Sequence, residues 1–380
     1  MIELRNDELV FTFPEVHTGA RMSLNFQRTL RIPDDNREYR LHLGLGRFPL
    51  LHVDDYSENL PALWEKHGGV FLPMYQAEAM WIRFESDYPC AVKIAVGKID
   101  AVTGDSWTDF LVSEPQNYLL VPDQPWLDGF CISKGKIRQF VAMPLGEGDT
   151  AEEQITGEVE HGGIQIMVYP IEKSRYEELR QRGVAESSAM LQEVALLAES
   201  PDMGLAPGGL MRQEIYEDEY GFEAWETGVH SRCFVHIANS AAYRSITGSP
   251  PPTEPPTAAQ YTEAGLPWFE YYAAELKAVE GSAKLAGLDS VAVKGTKKGE
   301  KPLPENSRYS PNRSKRFIPN APVFGKESFR RISHSRRTRP GQNTGATRFP
   351  ASATMAPAGR SSHLSGYIRM AIEWRSQRWI

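Results

Sequence analysis

Cysteine is scarce in this chain. Cys90, Cys131 and Cys233 are the three in 380 residues, and they are widely spaced. That is too few for a disulfide framework, and no C-x-x-C pair is present, so neither a disulfide-stapled fold nor a dithiol redox site is expected. Long apolar runs are missing too. None reaches the ~18 residues that a membrane-spanning helix needs, and LQEVALLA at 191–198 is interrupted by Gln192 and Glu193. The opening residues, MIELRNDELVFTF, lack a basic segment followed by an apolar core, so no secretory signal is expected. These absences lead to the expectation of a soluble cytoplasmic protein in a reducing compartment.

Complete catalytic signatures are absent as well. There is no G-x-S-x-G nucleophile elbow and no G-x-x-x-x-G-K-[ST] phosphate loop. LGLGRFP (Leu43 to Pro49) carries two of the glycines of a dinucleotide loop but runs into a proline instead of a helix, so it reads as a turn. H-E-x-x-H and H-x-H are missing. HVDD (His52 to Asp55) would place His52 and Asp54 on one strand face with Glu58 nearby, and HSRCFVH (His230 to His236) holds ligand-type residues at a spacing that fits no common zinc pattern. No cofactor and no metal are expected.

Turns are well supplied, with 31 Gly and 27 Pro, which favours many short elements. The net charge of −7 hides an asymmetry. Residues 1–285 hold 23 Lys+Arg against 44 Asp+Glu, and residues 286–380 hold 19 against 5. An acidic body is a poor nucleic-acid surface, because phosphate contacts need Lys and Arg. The basic tail, 286–380, is the part suited to an anionic partner, and is also a route to nuclear localisation.

Period-two alternation dominates the first 170 residues. Strands are expected at Glu8–Phe13, Arg21–Ile32, Ala77–Phe84, Ala91–Ile99 and Trp107–Val112, and a hairpin at Phe130–Met143 turned at Ser133–Gly135. Thr150-Ala-Glu-Glu153 has capping-box spacing, which predicts a short helix ending near Gly157. Residues 173–200 shift to three-four spacing and predict two helical pieces. PDMGLAPGG reads as a loop, MRQEIYED and RCFVHIAN as strands, and Asn239–Thr247 as a helical turn. Thr257 to Gln260 has capping-box spacing again, and Pro267 to about Glu280 reads as a helix with Phe269, Tyr272 and Leu276 inward. Little order is expected over 291–363, and the last segment, HLSGYIRMAIEWRSQRWI, has weak amphipathic character.

The fold class is therefore α+β: an antiparallel β-sandwich or irregular β-barrel over 1–170, a smaller mixed part over 173–281 packed on it, and a mostly disordered basic tail over 282–380.

Two stretches nearly rhyme. HGGVFLPMY starts at His67 and HGGIQIMVYP at His161, each with a Tyr eight positions after the His. Glycine pairs beside a His occur in esterase oxyanion loops, but the nucleophile elbow is missing. The alternation that follows each pair marks both as sharp turns into strands. His67 reads as structural. His161 follows Glu158 and Glu160, which makes a proton-handling cluster conceivable. Arg138 lies in an apolar strand, as do Arg83 and Gln154; the favoured reading puts Arg138 on the wet face, and turned inward such residues would line a pocket for an acidic ligand. Arg212 and Glu214 open an acidic, aromatic segment, MRQEIYEDEYGFEAWE, in which carboxylates can do acid–base work and otherwise form a solvated surface.

Two functions are consistent with this pattern. One is a binding or scaffold protein, taking an unidentified protein or small molecule and assembling through exposed strands or the PWFEYY segment. The other is a hydrolase or lyase with His161, Glu158, Arg138, Arg212 and Glu214 as the candidate residues.

Overall fold

A computed structural model describes residues 1–35, 37–42, 44–159, 161–181, 203–252, 254–257, 261, 268–271, 276–301 and 314–317, and among these described residues there are nineteen strands and six short α-helices. The described residues belong to Met1–Ala321, one of two units into which the chain divides. The strands follow the alternation of the sequence. They are β1 (Ile2–Arg5), β2 (Glu8–Thr12), β3 (Arg21–Thr29), β4 (Glu38–Tyr39), β5 (Leu41–His42) and β6 (Leu51–His52). Helix α1 (Ala62–His67) leads into β7 (Val70–Met74), β8 (Ala79–Ser86), β9 (Cys90–Val96) and β10 (Ile99–Asp100). Then come β11 (Leu119–Val121), β12 (Trp126–Leu127), β13 (Gly129–Ser133) and β14 (Lys136–Pro144). After α2 (Ala151–Thr156) follow β15 (Ile164–Pro170), α3 (Lys173–Gln181), β16 (Met203–Arg212) and β17 (Ser231–Asn239). The remainder is α4 (Ser240–Thr247), β18 (Trp268–Tyr271), α5 (Ala283–Ala286), α6 (Val291–Lys298) and β19 (Ser314–Phe317).

Sixteen strands form one sheet with the main order β1-β2-β3-β8-β14-β16-β17-β15-β9-β10; β5, β18 and β19 form a second. Pairing is antiparallel in the large sheet except for β4 on β16 and β7 on β17. The large sheet curls back on itself. The Cys131 N–H of β13 donates to the Ala101 carbonyl at 2.9 Å, and the Ala101 N–H donates to Ile94 of β9 at 2.9 Å. Because β13 pairs with β14, main-chain bonds return the path from β9 to β14. This is the β-rich α+β fold expected from the alternation.

The enclosed face is packed with apolar side chains, among them Phe11, Leu24, Phe26, Ile94, Tyr118, Phe130, Phe140, Ile166 and Val235. One ion pair is buried whole: Arg28 of β3 donates to Glu78, and Glu78 also accepts the Tyr75 N–H at 2.9 Å. A buried charge is tolerable only with such a partner.

The capping box at Thr150 forms. Its hydroxyl accepts the Glu153 N–H at 3.3 Å, the Glu153 carboxylate accepts the Thr150 N–H at 3.2 Å, and Gly157 closes the helix in the left-handed region. Four local expectations are corrected. Trp107–Val112 is a loop and not a strand: the Lys93 amine donates to the carbonyls of Thr108 and Phe110, both at 2.6 Å, and holds the segment off the ladder. MGLAPGG is the first part of β16. Its glycines allow neighbours to approach, and a Cβ on Gly209 would lie 2.5 Å from the Pro33 carbonyl. Trp268–Tyr271, expected in a helix, is a strand between β5 and β19, as suits a run of aromatics. Finally, order continues past Gly281. Ser282 and Ser290 cap α5 and α6, Leu285 is buried, and the Gln154 amide of α2 exchanges two hydrogen bonds with the Asp289 backbone at 3.0 and 2.8 Å. The second helical piece expected within 173–200 and the terminal amphipathic segment lie outside the described residues.

Between β12 and β13, Asp128 is buried, and Gln213 holds it by a side-chain bond of 2.9 Å to Oδ2. Burial pushes its carboxyl up from 3.8 to about 7. The folded chain thus keeps a proton that the unfolded chain releases, so stability is lost as pH rises between those values. Asp128→Asn removes this loss. In urea titrations the variant gains on the natural chain from pH ~4 to ~7 and holds a constant difference above that; a pH-independent difference would refute the buried, protonated carboxyl.

Candidate functional site

Val235, in the middle of β17, pairs on one side with Val70 and on the other with Ile164. These are the first residues of β7 and β15, the two strands opened by His-Gly-Gly. From Val235, β7 runs parallel to β17 and β15 runs antiparallel, so the two strands leave the same point in opposite directions. All four glycines take positive φ, at 62° and 90° for Gly68 and Gly69 and 58° and 59° for Gly162 and Gly163. The second glycine of each pair also lies against β17. A Cβ on Gly69 would sit 2.2 Å from the Phe234 carbonyl oxygen, and one on Gly163 2.6 Å from that of Val235. No side chain fits at either place.

Both histidines stand three residues before the strand residue that meets Val235, so the two turns bring them together. The rings of His67 and His161 are 4.8 Å apart, edge to face. His67 stacks on Phe234 at 4.4 Å, and His236 stacks on Trp64 of α1 at 4.7 Å. His236 Nε2 lies 3.0 Å from the Gly68 carbonyl. A carbonyl only accepts, so Nε2 carries the proton and donates. Burial pushes His236 down to about 4 and lowers His67 and His161 below the ordinary imidazole value. At neutral pH the cluster is therefore uncharged.

The second turn is anchored by Glu152 of α2. Its buried carboxylate accepts the Gly162 N–H at 2.9 Å and the His161 N–H at 3.3 Å, and it occupies the space that a Cβ on Gly97 would need. The capping box fixes the start of α2 and so places Glu152 under the turn.

Beside the turn lies a cavity of about 420 Å³. Lys98 contributes from the β9–β10 turn, and Ser106 and Trp107 from the loop beyond it. Thr156, Glu158 and His161 line it from the end of α2 onward, Gln165 from β15 and Arg232 from β17. Arg232 is held in place: one terminal nitrogen donates to Asp109 at 3.0 Å, the other donates to Gln165, and the guanidinium lies over Phe234 at 4.7 Å and Trp107 at 5.4 Å. Asp109 also accepts the Trp107 indole N–H at 2.6 Å. On Trp107 sits a second cation, the Lys93 amine at 4.8 Å, whose burial lowers it to about 8. The cavity thus offers cations, an indole, a neutral imidazole, hydroxyls, an amide and one carboxylate.

Of the residues singled out from the sequence, His161 and Glu158 share this cavity. Arg138, Arg212 and Glu214 do not line it. Arg138 donates to the Gly208 carbonyl at 3.1 Å and pairs with Asp34 at 3.5 Å. Arg212 pairs with Glu38 at 3.5 Å. Glu214 lies just past β16, where burial raises its carboxyl while Lys134 and Arg212 oppose the rise. In the acidic segment around them Asp218 is pinned, accepting from Tyr118 at 2.6 Å, from Trp225 at 2.8 Å and from the Tyr220 N–H at 2.9 Å, while Glu219 and Glu223 are exposed. Sequence reasoning missed Lys98, Trp107, Gln165 and Arg232, and it set His67 apart from His161. The equal His-to-strand spacing was the one available signal that the two rings meet. Among the described residues no cluster of three or more His, Cys, Asp and Glu is placed to hold a metal ion.

The close approach to β17 separates two adjacent glycines. Gly68 has positive φ with open space around it, and Gly68→Ala costs ~1 kcal/mol. Gly69→Ala puts a methyl group into a carbonyl oxygen and costs more than ~3 kcal/mol. Equal losses in chemical denaturation would contradict the clamp on β17. No protein-family model, curated protein or solved structure matches this chain.

Proposed function

We propose that this chain is a ligand-binding protein whose site is the cavity beside the paired His-Gly-Gly turns, and that its ligand is a small molecule with an anionic group. One observation carries the reading: Lys98, Arg232 and His161 share a cavity with Trp107. A volume of about 420 Å³ suits a small molecule, since such sites span ~300–1,000 Å³. A guanidinium already oriented by Asp109 and Gln165 receives an anion with little further ordering.

A hydrolase or lyase is the second reading, and it rests on His161 and Glu158 facing one cavity. A neutral imidazole there can accept a proton, and a neighbouring carboxyl can return one. Binding and turnover are separated by recovering the ligand: a binding protein returns it unchanged. The basic stretch stays a proposal for an anionic partner, and within it Lys297 and Lys298 are already paired with Asp289 and Asp149.

The test is calorimetric titration of the whole chain with small carboxylates, inorganic phosphate and organic cations. Anions bind, cations do not, and Arg232→Met weakens anion binding at least ~10-fold. Trp107 fluorescence reports the same event. No heat and no fluorescence change with any anion at millimolar concentration would sink the proposal.

A further inference from the structure

The charges that act on the His161 ring are cationic. Lys66 precedes His67 at the end of α1, Lys98 lies on the cavity wall, and Arg232 reaches in from β17; all three act on the His161 ring. Against them stand Glu152 beneath the turn, Glu158 on the wall and Asp109 on Arg232. The imidazoles of His67 and His236 complete the surroundings, from α1 and β17. Of the three histidines, His161 alone lines the cavity.

An anion entering such a site offsets the cations that oppose a charge on the ring. A proton on the nearest imidazole is then favoured, and the charge it adds holds the anion in turn. The wall adds a second requirement. Trp107 presents an indole there, and Phe110 and Val159, next in sequence to Asp109 and Glu158, are 59% and 47% exposed. With Trp107 on the wall, these favour a ligand with an apolar body behind its anionic head.

We infer that the ligand is an apolar carboxylate, bound as its anion together with one proton taken up by His161. This deepens the anion-binding reading and rests on it. The ring sits below its ordinary value of 6.5 in the empty site, because burial and then Lys98, Arg232 and Lys66 oppose its charge. A bound carboxylate reverses that balance, so affinity rises as pH falls toward and through about 6.5 and levels off once the empty site is itself protonated.

The experiment titrates the whole chain with benzoate, acetate and inorganic phosphate, each in two buffers of different ionisation heat. Benzoate is expected to bind at least ~10-fold tighter than acetate. Its apparent enthalpy is expected to differ between the buffers over the same pH range in which the affinity changes. His161→Gln should abolish the buffer dependence and flatten the pH profile while benzoate still binds; a thermal scan establishes that the variant is folded. Binding of benzoate by the natural chain with no buffer dependence overturns the proton uptake and leaves anion binding standing. Benzoate no tighter than acetate overturns the apolar body, and phosphate tighter than benzoate overturns the carboxylate. Absence of binding by all three overturns this inference together with the function it rests on.

Discussion

Two carbonyl oxygens on β17, those of Phe234 and Val235, set the terms for the site. Each is approached by a glycine that no other residue can replace. Because these glycines end identical His-Gly-Gly turns, the same close approach that aligns β7 and β15 on Val235 also delivers two imidazoles to one place. The stacking of His67 on Phe234 and the hydrogen bond from His236 to Gly68 then lock turn and strand together from both sides. Sheet register and site geometry are one constraint here, since a one-residue slip would send every following side chain to the other face.

Around this clamp, charge is handled by pairing instead of exposure. Glu152 spends its carboxylate on the backbone of the second turn, Asp109 joins Trp107 to Arg232, and Lys93 ties down the loop that carries Trp107. The wall of the cavity is therefore made of side chains whose positions are already fixed by others. Such an arrangement lowers the ordering cost of taking a ligand.

Much of the fold was legible in the sequence. Period-two alternation marked β2, β3, β8, β9, β14 and β17, and the Thr150–Glu153 spacing marked α2 to within a residue of its ends. The failures have physical causes. Trp107–Val112 has strand-like composition, but a buried lysine from elsewhere in the chain takes its carbonyls. MGLAPGG looks like a loop because its glycines serve close packing against neighbouring strands and not a turn. Trp268–Tyr271 has helical spacing, yet its aromatics suit a ladder equally well. Of the site, His161 and Glu158 were legible because they are adjacent in sequence. Arg232, Lys98 and Trp107 were not, because only the pairing of β15 with β9 and β17 brings them beside His161.

The topology has a temporal side. β17 follows both β7 and β15 in the chain, and lies between them in the sheet. A ribosome releasing this chain from its N-terminus exposes His67 and His161 long before the strand that unites them. Until Ser231–Asn239 emerges, the two-residue β6 is the ladder partner of β7 among the described residues. The cavity is thus among the last features of the β body to be made, and a nascent chain halted before Ser231 holds both histidine turns with nothing to join them.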